Sequence, residues 1–366
     1  MREARAAVIT RLVARDFRNL RAFDWRPLPG WNVLEGPNGA GKTSVLEALY
    51  AAATTRSFRA GRLAGCVRQG ADGFQVEVET EGEARTSLAI AWGEAGLDRR
   101  RNGSPTELAE HLAVQPVVLW WLGSLAVVGG GPRERRRLLD QGLVALSPKT
   151  LEASGRYRRA LKQKRRLLAE SRANGAELES WNDLLAVEAS VLVRARAEYV
   201  ARLEAAIEAI LEEDGGEAKA IGLRYRPSLP QALDGAEAAQ RALHSWRRRE
   251  QDSGRILVGP QRDELVVTWR GAAAETASGG ERKWITLVLA AGRGRVLEAG
   301  EKHPVYLLDD LDAELDAERL RRSLRLFSEG SQKVVTTTRA EPLEAVAESA
   351  IWRLRDGRVK GSQNLT

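Results

Sequence analysis

Apolar residues fall in short dense runs over Val8 to Arg15 and Trp31 to Glu35, which predicts two strands. Between Lys42 and Ala53 the spacing changes. Val45, Leu46, Leu49 and Ala53 share one face at helical period, so strand, loop and helix follow one another. Gln75 to Thr80 and Thr86 to Trp92 alternate roughly, with Gly82 at the turn, and predict two further strands. Beyond Pro132 the texture becomes rich in Ala, Leu, Glu and Arg, and from Arg133 to about Leu211 the only prominent breakers are Pro148 and Gly155. Several helices are expected there. Glu212 to Gly216 closes that region, Leu223 to Tyr225 reads as a short strand and Ala236 to Arg249 as a helix. Strand patterns return at Ile256 to Val258, Leu265 to Trp269 and Val305 to Leu308. The expected architecture is an α/β domain made of residues 1–128 and 251–366, interrupted by a mainly helical arm at 129–250.

Composition narrows the chemistry. With 366 residues, 43% of them hydrophobic, the chain can bury a sizeable core. The single cysteine, Cys66, and three histidines leave no disulfide and no thiolate metal cluster. No apolar stretch of 18 residues and no secretory pattern after Met1 occur, so a cytoplasmic protein without membrane contact is expected. A formal charge of +7, carried largely by arginines, suits a polyanionic partner or a soluble surface.

Three motifs carry the chemistry. Gly36-Pro-Asn-Gly-Ala-Gly-Lys-Thr43 fits the phosphate-cradling pattern and sits between a strand and a helix, the context that pattern needs. Backbone N–H groups around Gly39 and Gly41 and the helix N-terminus face phosphate, Lys42 reaches the β and γ phosphates, and the Thr43 hydroxyl ligates Mg²⁺. The apolar strand Val305 to Leu308 ends in Asp309, placed to hold Mg²⁺, and Asp310, placed to polarise an attacking water. Ser278-Gly-Gly-Glu281 opens a helical run and offers N–H donors and a hydroxyl to an anion. Ser278 precedes Asp309 by 31 residues. P-loop, Ser-Gly-Gly, acidic strand end and Ala313-Glu-Leu-Asp316, in that order, resemble the ABC ATPase set, in which the signature meets the γ-phosphate held by a second protomer. ATP would then join two copies.

Within that class the chain resembles the RecF family of bacterial recombination mediators nearly end to end. The resemblance is carried by Asp16-Phe-Arg-Asn-Leu20, Leu46-Glu-Ala-Leu-Tyr50, Arg56-Ser-Phe-Arg59, Gly131 to Asp140, Leu161-Lys-Gln163, Gly259-Pro-Gln-Arg-Asp-Glu-Leu265 and Leu307-Leu-Asp-Asp310. It implies an ABC-type ATPase head with a compact helical arm, ATP and Mg²⁺ as cofactors, an ATP-dependent homodimer and slow hydrolysis. It also implies binding to duplex DNA beside single-strand gaps, partnership with RecR and through it RecO, and help in loading RecA. Nucleotide ligands on this basis are Arg18, Asn19, Gly36, Asn38, Gly39, Gly41, Lys42, Thr43, Ser44, Ser278, Gly279, Gly280 and Glu281. Several positions depart from the family. Trp121-Leu-Gly-Ser124 replaces a Ser-Pro-Glu-Asp stretch near the Q-loop, with Gln115 a possible substitute. Gln261 replaces His, and Glu281 the usual Gln. Val334 to Arg339 lacks the switch histidine, so turnover should be slow or depend on Thr338 or Arg339.

Arg156, Arg158, Arg159, Lys162, Lys164, Arg165, Arg166 and Arg172 crowd about five helical turns, with Glu170 the single acid in the window. Intrahelical pairing cannot neutralise them. Arg158, Lys162, Lys164 and Arg165 are therefore the expected DNA contacts, reading phosphate without regard to sequence. Arg133 to Arg137 and Arg247 to Arg249 form further clusters, and Trp120, Trp121 and Trp246 are candidates for base stacking. Two alternatives stay open: another SMC-like or ABC repair ATPase, and a scaffold that uses ATP only to hold a dimer. A transporter subunit fits poorly, since 235 residues separate Thr43 from Ser278.

Overall fold

The computed structural model describes residues 7–169, 175–312, 317–340 and 349–364. They pack as two units, Met1–Leu125 with Thr286–Thr366, and Ala126–Ile285.

In the first unit the chain runs through β1 (Val8–Phe17), β2 (Leu20–Trp25), β3 (Trp31–Glu35), α1 (Lys42–Thr54), β4 (Phe74–Glu81), β5 (Arg85–Gly93), β6 (Gly96–Arg101), β7 (Ser104–Pro105), α2 (Leu108–Val114) and β8 (Val117–Trp120). Six of these strands form an antiparallel sheet in the order β2-β1-β4-β5-β6-β7. Alternation places Leu12, Ala14, Val76, Val78, Leu88 and Ile90 on its inner face. Helix α1 is apolar on nearly every side, from Val45 to Ala53, so it must be covered all round. It shares one core with residues of this sheet and of a second one, including Leu34, Leu307 and Val334.

The second unit holds α3 (Ala126–Gly129), α4 (Pro132–Leu146), α5 (Pro148–Ala169), α6 (Gly175–Glu213), β9 (Ile221–Arg226), α7 (Ala236–Ser253), β10 (Glu264–Trp269) and β11 (Ala272–Ala273). Helix α6, 39 residues long, packs against both α5 and α7 over a core of Ala160, Leu185, Ala189, Leu192, Leu243 and their neighbours. The division between the units falls inside α8 (Gly279–Glu298). The first unit then resumes with β12 (Val305–Leu308), α9 (Ala317–Arg325), β13 (Lys333–Thr337), β14 (Ser349–Arg355) and β15 (Arg358–Asn364). These complete the second sheet, β15-β14-β3-β13-β12-β8, parallel except for the β14–β15 hairpin. Every side chain of β12 is buried, as a parallel strand covered on both faces requires.

Three expectations change. Ile256 to Val258 is a connection and not a strand; Ile256 and Val258 bury their side chains in the helical core without pairing to a neighbour. The antiparallel sheet β9-β10-β11 belongs with the helices, because β9 packs on α6 and β10 on α4, so the second unit extends to Ile285 and not to residue 250. Strands β2, β6, β7, β8, β11, β13 and β15 add to the predicted set; β7 and β11 have two residues each, β8 only four, and β6 and β15 are rich in charged and polar positions.

A buried ionic knot organises the second unit. Arg196 on α6 donates through Nη1 to Asp263 Oδ2 and to the Pro260 carbonyl, each at 2.7 Å, and through Nη2 to Asp140 of α4 at 2.7 Å. The Tyr225 hydroxyl and the Ser228 amide also donate to Asp263, which is wholly buried. Arg196→Ala strands that carboxylate without its countercharge. It should cost about 3–5 kcal/mol in urea unfolding with an unchanged m-value; a loss below about 1 kcal/mol would show that the unit does not depend on the knot.

A candidate nucleotide site

The loop after β3 is shaped by its glycines. A Cβ on Gly36 would lie 2.4 Å from the Leu354 carbonyl oxygen, so only glycine fits beside β14. Gly41 holds φ at +107°, outside the range of ordinary residues, and Gly39 holds +82°. The Asn19 side-chain amide donates to the Gly39 carbonyl at 3.0 Å and fastens the loop from outside. Lys42 is buried, and its ammonium donates to the carbonyls of Gly36 at 2.7 Å and Pro37 at 3.2 Å. Asn38 and Gly39 are exposed at the tip, while Ser44 is buried in the first turn of α1. A buried ammonium held by carbonyl groups alone, at a helix N-terminus, is suited to an anion.

Beside this loop the parallel strands end side by side. The Thr43 hydroxyl donates to Asp309 Oδ1 at 2.9 Å, the Thr336 hydroxyl donates to the same oxygen at 2.8 Å, and the Asp309 amide donates to the Trp120 carbonyl at 3.0 Å. Burial pushes the Asp309 carboxyl above its ordinary range; the Thr336 hydrogen bond opposes this, the neighbouring Asp310 adds to it, and Thr43 and Arg59 draw it back. Asp310 is exposed, with φ at +49°. A hydroxyl and a carboxylate within hydrogen-bond reach are hard oxygen donors of the kind Mg²⁺ takes together with phosphate oxygens and water. Thr43 and Asp309 are thus the residues that would hold it.

In the second unit, Ser278 precedes α8 and forms a capping box with Glu281. The Ser278 amide and hydroxyl donate to Glu281 Oε2, both at 2.8 Å, and the Trp269 indole donates to Oε1 at 3.0 Å. These donors hold the Glu281 carboxyl below its ordinary value. A Cβ on Gly279 or Gly280 would touch nothing within 4 Å. Internal packing therefore does not account for these two glycines, and the backbone there is open to solvent. Ala313 to Asp316 lies outside the described residues.

The sequence matches the family described as RecF/RecN/SMC N terminal domain over residues 8–358. It is 34% identical over 349 residues to the DNA replication and repair protein RecF of Frankia alni, covering 90% of this chain and 92% of that one. To RecF of Streptomyces avermitilis it is 31% identical over 369 residues, covering 96% and 99%. The chain belongs to the RecF family. Its fold matches a solved structure of the recombination mediator protein RecF with ATP at a TM-score of 0.88 and 22% identity, covering 99% of both chains. An SMC head bound to the C-winged helix domain of ScpA matches at 0.56 and 17%, covering 98% of both. The fold class is that of an ABC-type, SMC-like ATPase head.

Within this RecF-family frame, several expected site residues take other parts. Arg18 is turned to the buried Glu47 of α1, donating through Nε at 2.9 Å and Nη2 at 2.7 Å, and through Nη1 to the Gly65 carbonyl at 2.6 Å. It locks α1 in place and is not aimed at the loop. Gln115 is buried before the start of β8, donating to the Pro116 and His303 carbonyls, at the opposite end of the strand from Trp120 and Asp309. It is no Q-loop substitute. Trp120 is core, its indole donating to Thr286 at 3.0 Å, so it cannot stack on a base; Trp121 packs on Phe58. Lys164 is wholly buried and paired with Glu250 of α7 at 2.5 Å, because its position on α5 faces the helical core. It is withdrawn as a DNA contact. Arg59, noted in the sequence only as part of the resemblance, lies 3.6 Å from Glu47, and its charge acts on Asp309. Among the described residues no helix is long and apolar enough to cross a membrane, and no cluster of His, Cys, Asp or Glu is arranged for a metal.

Arg18→Ala is expected to cost roughly 2 kcal/mol of stability, less than a fully buried pair because Arg18 is partly exposed, with nucleotide affinity held within about threefold. Loss of nucleotide binding at an unchanged Tm would return Arg18 to the ligand set.

Proposed function

We propose that the chain is an ATP-dependent DNA-binding protein that dimerises on ATP, holds duplex DNA near single-strand gaps, and acts with RecR, and through it RecO, to promote RecA loading in recombinational repair, hydrolysing ATP slowly. Membership of the RecF family supports the pathway, and the P-loop with its Thr43–Asp309 pair supports Mg²⁺-ATP as the ligand. The open backbone at Gly279 and Gly280 supports a signature that meets the γ-phosphate on a second copy. Asp310, exposed beside the buried Asp309, is the group placed to polarise the attacking water.

The observation that carries DNA binding is the outer face of α5. Arg158, Arg159, Lys162, Arg165 and Arg166 are all exposed, and their spacing puts them on one face about 120° wide. Other cations of the same helices are neutralised: Arg156 by Glu188 and Glu152, Lys164 by Glu250, Arg247 by Glu179. Arg159, Lys162 and Arg165 have no acidic partner among the described residues. Three cations of one outer face without an acidic partner, beside neighbours that are paired, form an electrostatic footprint for phosphate. A second reading, a scaffold with little hydrolysis, is favoured by one observation: the segment Trp121 to Ser124 brings neither acid nor amide side chain to the end of β8.

Lys42→Ala should abolish both nucleotide binding and ATP-dependent dimerisation in sedimentation runs. Asp310→Asn should retain the ATP dimer while turnover falls about 100-fold; normal turnover would exclude Asp310 as the activating group. If wild-type turnover stays at background with gapped DNA present, the scaffold reading stands instead. Replacing Arg158, Lys162 and Arg165 by Ala should weaken duplex binding and flatten its salt dependence by roughly one unit of slope per lost phosphate contact, whereas Lys164→Met should leave the slope unchanged. An unaltered slope in the triple variant would rule out α5 as the DNA face.

A further inference from the structure

The segment that lacks the switch histidine carries three consecutive threonines, Thr336 to Thr338, and the first of them occupies an unusual place. Strands β12 and β13 are parallel neighbours in the register Leu308 opposite Val335, so the next step along each brings Asp309 beside Thr336. Thr336 is wholly buried. A threonine hydroxyl has one hydrogen to give and lone pairs to receive. Here the hydrogen goes to Asp309 Oδ1 at 2.8 Å, and the oxygen receives the Asp310 amide, also at 2.8 Å. One hydroxyl therefore holds the carboxylate of the first acid and the backbone of the second.

The second of these bonds matters because Asp310 stands at φ +49°, a region that costs a non-glycine residue energy unless its surroundings impose it. That turn separates the two acids: Asp309 stays buried against Thr43, and Asp310 emerges into solvent. The next threonine does related work one step on, its hydroxyl donating to Asp312 Oδ2 at 2.6 Å and accepting the Arg339 amide at 3.0 Å.

We propose that Thr336 is a positioning residue for ATP hydrolysis, its hydroxyl fixing the Asp309 carboxylate toward Thr43 and setting the left-handed turn that presents Asp310. This rests on the ATPase reading above. Valine preserves the shape of threonine without the hydroxyl, alanine removes shape and hydroxyl together, and serine keeps the hydroxyl alone.

The test compares Thr336→Val, Thr336→Ala and Thr336→Ser in the full chain by ATP turnover, by calorimetric ATP binding at graded Mg²⁺, and by Tm in EDTA. Thr336→Val and Thr336→Ala are expected to lower kcat roughly 10- to 100-fold and to raise the Mg²⁺ needed for half-maximal ATP binding about tenfold, as loss of an outer partner of a metal ligand does. Metal-free ATP affinity should be unchanged, and Thr336→Ser should restore both quantities to within about threefold. The proposal is overturned if Thr336→Val turns over ATP like the wild type, or if Thr336→Ser is as poor as Thr336→Val, which would show that the hydroxyl alone does not carry the role. It is equally overturned if neither Thr336→Val nor Thr336→Ala folds, since the hydroxyl would then serve the fold as a whole. A wild-type chain without turnover defeats the ATPase reading itself; unchanged variants of an active wild type defeat only this inference.

Discussion

Asp309 is a carboxylate taken out of water at the end of a buried strand, and such a group is tolerated only where donors meet it. Two threonine hydroxyls do so, Thr43 from the first turn of α1 and Thr336 from β13. For both to arrive, β12 must lie beside β13 in one register, and the loop after β3 must deliver α1 at one height. The close fit of Gly36 against the Leu354 carbonyl and the hydrogen bond from Gly36 to Thr337 set that height. The same arrangement places Lys42 under the loop. A buried cation and a buried anion are thus held by neutral partners on neighbouring elements, each poised for a charged ligand that neutral partners cannot replace.

Much of this frame was legible in the chain. Trp31 to Glu35, the glycine loop and the helix from Lys42 follow from local rules of period and backbone freedom, and the structure places them within a residue of the reading. Val305 to Leu308 followed from its unbroken apolar run. What failed depended on partners remote in sequence. The apolar run Ile256 to Val258 has the composition of a strand, but no neighbouring strand receives it. The division near residue 250 followed the change from helical to strand texture, whereas β10 pairs with β9 and packs with the helices before it. Arg18 follows from the family resemblance and Gln115 from its nearness to the altered segment, and both are fixed by groups remote in sequence.

The arm shows why charge counting along one helix misleads. A window with one acid and many cations seemed unable to neutralise itself, yet α5 is packed on α6, and α7 supplies Glu250 to Lys164 as α6 supplies Glu188 to Arg156. Burial pushes the Lys164 ammonium below its ordinary value, and Glu250 opposes that. The pair therefore serves packing between helices and contributes nothing to an external field. Once Arg156 and Lys164 are set aside, Arg158, Arg159, Lys162, Arg165 and Arg166 share the outward side of α5. For the proposed DNA face that is a sharper footprint than the raw count gave, because a phosphate backbone responds to the spacing of charges on one surface.

The end of β8 bears on rate. At the end of β8, Trp121 lies against Phe58 at 5.1 Å between ring centres, and the turn that follows is closed by its own hydrogen bonds between Trp121 and Ser124. An aromatic packed in this way supplies no base and no amide for water. The strand on the other side of β12 offers threonines in place of histidine, and two of these are already committed to Asp309, Asp310 and Asp312. Hydroxyls of this kind orient acids but do not take up protons near neutral pH. In the proposed reaction, proton acceptance then falls to Asp310 among the groups gathered at these strand ends. On the proposed reading, an acid with a single activating role and no histidine to share it fits a long-lived ATP state of a dimer held on DNA.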